Sequence, residues 1–121
     1  MRITTTDGVS FQYHNILKTL YKKGRLKSVK YGFYGDKLTK KTVTLEHLRP
    51  VCQGGKTELK NLVLASANKN QERGIRPLAE VLNWKNVWRY LDQFKNVIAG
   101  DFNGNEYIKI ILNTIKELLN G

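Results

Sequence analysis

Between residues 42 and 74 the side-chain pattern changes period twice, and that switch constrains the fold more than any other feature of the chain. Residues 42–46 (Thr-Val-Thr-Leu-Glu) are a short β-branched run that reads as a strand. Residues 61–65 (Asn-Leu-Val-Leu-Ala) read as its hairpin partner, reached through a long loop that holds a Gly54-Gly55 turn. Ser66 then stands where a helix needs an N-cap. Gly74 stands where a helix closes at low cost in left-handed backbone, so residues 67–73 are predicted helical. The order strand, loop, strand, helix makes this stretch an α+β unit, a two-stranded antiparallel hairpin with a short helix.

The flanks are helical in period. Ser10 is a candidate cap for a first helix, with Tyr13, Ile16, Leu17, Leu20 and Tyr21 on one face and Gly24 at its end. Val29, Tyr31 and Phe33 then alternate with Lys30 and Gly32, which predicts a strand or extended arm leading into a Gly35-Asp36 turn, with the rings of Tyr31 and Phe33 toward the core. After Pro77, Leu78, Val81 and Leu82 suggest one or two helical turns. Trp84, Val87, Trp88, Leu91 and Phe94 continue at helical spacing toward Ile98 and Gly100, and Trp84, Trp88 and Leu91 read as core. A loop over 101–104 precedes a last helix over 105–119, whose Ile108, Ile111, Leu112, Ile115, Leu118 and Leu119 share a face.

At 121 residues and 40% hydrophobic, the chain reads as one domain over 1–121: a basic helix and arm over 1–41, the hairpin and helix over about 42–74, and a helical part over 75–121. Cys52 is the only cysteine, so neither an intramolecular disulfide nor a cysteine-built zinc knuckle can form, and packing must supply stability. No apolar run approaches the length of a membrane span and no signal peptide is recognisable, so a cytoplasmic location and no membrane partner are expected. The formal charge of +11 favours polyanionic partners. It is concentrated: residues 1–41 hold ten Lys or Arg against Asp7 and Asp36, a net of +8.

Four residues of the central stretch carry recognisable chemistry: the pair Glu46-His47, Asn61 and Asn70. A histidine can take a proton from water near neutral pH, while a carboxylate and a carboxamide oxygen hold a hard cation beside it. With this spacing, and the ending Asn68-Lys69-Asn70, the segment resembles the HNH nuclease family. Within that family it is similar to the zinc-free HNH domain of RNA-guided nucleases. The resemblance covers about thirty residues and implies a ββα-metal core flanked by an N-terminal helix and C-terminal helices. It further implies a DNA endonuclease in which His47 is the general base and Asn61 braces the loop. Glu46 and Asn70 would ligate one divalent ion, Mg2+, Mn2+ or another, with no structural zinc. Family members more often carry aspartate before the histidine, so Glu46 reaches through one extra methylene.

Arg49, Lys69, Arg73 and Arg76 surround that segment and are expected at phosphates, as are Lys22, Lys23, Arg25, Lys27 and Lys30, with Tyr31, Phe33 and Tyr34 interleaved. DNA is the expected partner and RNA ranks below it. Monomer and homodimer are both open, as is a protein partner. The family associates such short chains with bacteria and phage-infected cells. The competing reading is a non-catalytic binding or inhibitory protein on the same scaffold. His14, beside the apolar stripe, and Cys52, in the loop, are assigned no role.

Overall fold

The computed structural model describes residues 2–4, 10–12 and 16–120. It is a mixed α+β fold. In chain order its elements are β1 (Arg2–Thr4), β2 (Ser10–Gln12), α1 (Ile16–Lys22), β3 (Val43–His47), β4 (Leu62–Ser66), α2 (Ala67–Arg73), α3 (Leu78–Val81), α4 (Trp84–Asp92), β5 (Ile98–Ala99), β6 (Phe102–Asn103) and α5 (Gly104–Asn120). Among the described residues the strands make three antiparallel pairs, β1 with β2, β3 with β4 and β5 with β6.

The β3–β4 register runs from Val43 opposite Ser66 to His47 opposite Leu62. Asn61 lies one residue before β4, in a short 3-10 turn over Leu59–Asn61. Helix α2 follows β4 with no linker: Ser66 is extended, and its Oγ accepts the backbone N–H of Lys69 at 3.3 Å. At the other end Gly74 has φ 59° and ψ −128°. The positive φ was expected of a closing glycine, but this ψ leaves the left-handed helical region for the mirror image of extended backbone, where side chains rarely go.

All five residues of β4 are buried, which is unusual for a two-stranded sheet whose outer edge would present unpaired backbone groups. Side chains and loops complete that edge. The N–H of Leu64 donates to the Tyr90 hydroxyl at 2.9 Å, Tyr90 and Tyr107 bond hydroxyl to hydroxyl at 2.9 Å, and Tyr107 donates to the Leu62 carbonyl at 2.7 Å. The N–H of Phe33 reaches the Leu64 carbonyl at 2.9 Å, and the Asp36 carboxylate accepts from the N–H of Ser66. Burial pushes both phenols up, so they stay protonated donors. Around them Leu62, Leu64, Leu91, Phe94 and Ile111 are fully buried.

Several sequence expectations are corrected. Ser10 lies in β2, away from the start of helix α1, which begins at Ile16 and buries Ile16, Leu17 and Leu20; Tyr13 and His14 lie outside the described residues. The arm over 29–33 is not a strand beyond a single bridge from Tyr31 to Lys37. Its backbone is held instead by the Gln93 side chain: Oε1 accepts from the N–H groups of Lys30 and Tyr31, and Nε2 donates to the Tyr31 carbonyl. Phe33 is in the core, whereas Tyr31 is half-buried under the Arg89 guanidinium. Helix α4 stops at Asp92, before Phe94 and well short of Gly100. Trp84 and Trp88 are 41% and 54% exposed and so are not core; Leu91 is. In α5, Ile111 and Ile115 are buried with Tyr107, while Leu119 is exposed.

Candidate functional site

Helix α2 packs against the face of β3 that carries Thr44 and Glu46. The Asn70 Nδ2 donates to Thr44 Oγ1 and to the Leu45 carbonyl, each at 3.2 Å. One turn on, Arg73 donates from Nη1 to the His47 carbonyl at 2.8 Å and from Nη2 to the Leu48 carbonyl at 2.7 Å. Asn70 therefore sits beside the peptide bond that leads into Glu46. With its nitrogen committed to two oxygens, its carboxamide oxygen faces the other way.

Glu46 is 6% exposed. Its Oε2 accepts from the Tyr34 hydroxyl at 2.7 Å and lies 3.6 Å from Arg73 Nη1. Burial raises the pKa of Glu46, and the Tyr34 bond and the Arg73 charge oppose that rise. The Tyr34 hydroxyl is itself pushed up, first by burial and then by the Glu46 charge, so it stays a donor. It also accepts from Arg73 Nη1 at 3.1 Å, which closes a triangle of carboxylate, phenol and guanidinium.

His47 ends β3 half-buried, its Nε2 2.9 Å from Thr57 Oγ1. Burial lowers its pKa, so the ring is neutral at pH 7. The loop that returns from His47 to β4 is gathered by Asn61. Its Oδ1 accepts the N–H of Arg49 at 2.8 Å, and its Nδ2 donates to the carbonyls of Arg49 at 3.1 Å and Lys56 at 2.9 Å. Its backbone carbonyl takes the N–H of Leu48 at 2.8 Å. Gly55 is required by the same closure, since a Cβ there would lie 1.8 Å from the Arg49 carbonyl oxygen.

The cationic residues divide. Arg73 is 2% exposed and spends its guanidinium on Glu46, Tyr34 and three carbonyls, that of Arg76 included, so it is turned inward and not toward a phosphate. Arg49 is exposed with Nε on the Gln53 carbonyl, Arg76 is exposed with bonds to the carbonyls of Arg73 and Glu72, and Lys69 pairs with Glu72 at 3.3 Å. Lys69, Arg73 and Arg76 line a cleft of about 210 Å³ together with Tyr34 and Asn86. Lys22, Lys23, Arg25, Lys27 and Lys30 are all exposed, at the end of α1 and in the segment after it.

A hard dication needs oxygen donors, and the Glu46 carboxylate and Asn70 carboxamide are of that kind. Among the described residues no three His, Cys, Asp or Glu side chains converge, so these two fit only an ion that keeps most of its water, which is how magnesium is usually held. Sequence reasoning missed Thr57, the bond of Tyr34 to Glu46 and the inward role of Arg73. The spacing of Arg73 three residues after Asn70 was a usable signal, because i and i+3 on a helix reach the same neighbouring strand. No described helix is long and apolar enough to cross a membrane. No protein-family profile, curated protein or solved structure matches the chain.

Proposed function

We propose that the chain is a divalent-metal-dependent endonuclease of the HNH type, built on a ββα-metal core and acting on DNA. The reading is supported above all by Asn61, whose carboxamide gathers the loop after His47 through three backbone bonds, the bracing task that the resemblance gives to this position. His47, neutral at pH 7, takes the proton of the attacking water. Thr57 Oγ1 engages Nε2, and in the tautomer in which Nε2 carries the proton and donates to it, Nδ1 is the accepting atom. Tyr34 and Arg73 hold the Glu46 carboxylate in place. A magnesium or manganese ion, which Glu46 and Asn70 would hold, supplies positive charge against that building on the scissile phosphate and its leaving oxygen.

The test is purified protein on supercoiled plasmid in magnesium or manganese. Wild type is expected to nick or linearise it and His47→Ala to lose at least about a hundredfold in rate. Chelation is expected to stop cleavage and leave DNA affinity in place. Equal activity in wild type and His47→Ala would overturn the assignment.

The Glu46–Arg73 pair favours a second reading, a DNA-binding protein on the same scaffold without turnover. A carboxylate already matched by a buried guanidinium has less need of a cation. That protein would bind DNA with or without chelator and give no product.

A further inference from the structure

We propose that the outer face of α4 is a stacking platform for unpaired DNA bases, a binding surface distinct from the β3–α2 segment. Trp84 and Trp88 lie one turn apart on this face, their rings 6.3 Å apart and inclined by 31°, and each is about half exposed. Large aromatic rings in the open are costly to leave wetted, and here two adjoin. Beside them runs a second row one turn apart, Lys85 and Arg89, both exposed. Arg89 is steadied by the Tyr31 ring, 3.6 Å beneath its guanidinium.

On the other flank of Trp88 a cavity of about 470 Å³ opens between α4 and α5. Leu91 and Ile108 give it apolar walls, Lys95 and Asp92 line it with opposite charges, and Lys109 is paired with Glu106 at 3.6 Å. A cavity of that size accommodates a heterocycle. An aromatic shelf beside the cationic row of Lys85 and Arg89 matches a strand whose bases are free to stack while its phosphates run alongside. Duplex DNA hides those π faces, so the complementarity is with unpaired strand.

Charge decides against a second copy as the occupant. Pairing this face with itself would bring the Lys85 and Arg89 rows of two chains together, each chain carrying +11. The face is also mechanically joined to the β3–α2 segment. Asn86, on α4, donates to the Tyr34 carbonyl at 3.0 Å, and the Tyr34 hydroxyl bonds Glu46. The choice of DNA over RNA rests on the nuclease reading, whereas the platform itself does not.

Trp84 and Trp88 are the chain's only tryptophans, so emission excited at the red edge, where tyrosine does not absorb, reads this surface alone. The experiment titrates the full chain, in chelator so that nothing is cut, with oligothymidylate of about a dozen nucleotides, oligouridylate of equal length and a blunt duplex. Oligothymidylate is expected to quench the emission strongly and the duplex weakly. By anisotropy of labelled oligothymidylate, Trp84→Ala with Trp88→Ala should lose about tenfold or more in affinity. Trp88→Phe should stay within about threefold, and duplex affinity should hardly change.

Equal quenching by strand and duplex, or unchanged oligothymidylate affinity in the double variant, overturns the proposal. A concentration-dependent dimer that the double variant abolishes also overturns it, in favour of self-association. Tighter binding of oligouridylate overturns the assignment to DNA. Tryptophan-dependent binding in a chain that cuts no plasmid would sink the nuclease reading and leave this one standing; cleavage without it does the reverse.

Discussion

Arg73 and Asn70 each do two things at once, and neither dual role is written in residue type alone. Arg73 neutralises Glu46 and ties down the carbonyls of His47 and Leu48. Removing a buried partner leaves both a charge and carbonyls uncompensated, so Arg73→Ala is expected to destabilise the fold by about 3–5 kcal/mol in urea unfolding. Asn70 donates to two oxygens, one of which, Thr44 Oγ1, has already given its proton to the Ala65 carbonyl. Asn70→Asp would set a carboxylate against both lone-pair-bearing atoms. It is therefore expected to be less stable than Asn70→Ala, by about 1 kcal/mol or more in a thermal melt, although aspartate is the better cation ligand. The positions of Glu46, His47, Asn61 and Asn70 were legible because spacing carries them. The inward turn of Arg73 was not, because sequence displays a charge without the carbonyls around it.

At the level of elements, α2 was the most legible piece, since Ser66 and Gly74 mark its two ends by local chemistry. The arm over 29–33 misled because alternation signals a strand only if a partner strand supplies hydrogen bonds, and here the Gln93 carboxamide, more than sixty residues away, supplies them. Helix α4 misled in the opposite way. Trp84 and Trp88 have core-like side chains at core-like spacing, but Val87, Tyr90 and Leu91 define the buried face and the tryptophans fall outside it. Nothing local marks the phenol relay on β4 either. Tyr107→Phe removes the donor to the Leu62 carbonyl and the hydroxyl that Tyr90 bonds. It is expected to cost about 1–3 kcal/mol, and to speed amide exchange at Leu64 through the loosened Tyr90.

For the molecule as a whole, charge distribution is the property sequence conveys best, because nearly all cations stay at the surface whatever the fold, Arg73 being the buried exception among the described residues. Lys22 and Lys23 are exposed at the end of α1. Lys22→Ala with Lys23→Ala is expected to weaken DNA binding and to flatten the slope of log affinity against log salt by about 1–2, as counterion release from one or two phosphates is lost. The sealing of the β3–β4 ribbon matters at the same scale. Its open rungs are plugged by side chains on both sides, by Tyr90 and Tyr107 along β4 and by Asn70 and Arg73 along β3. A bare ribbon invites foreign strands to zip onto it. Here the Leu64 N–H and the carbonyls of Leu62, Leu45 and His47 are already bonded, so a lost plug should reveal itself as fibril seeding in crowded solution before the folded population thins.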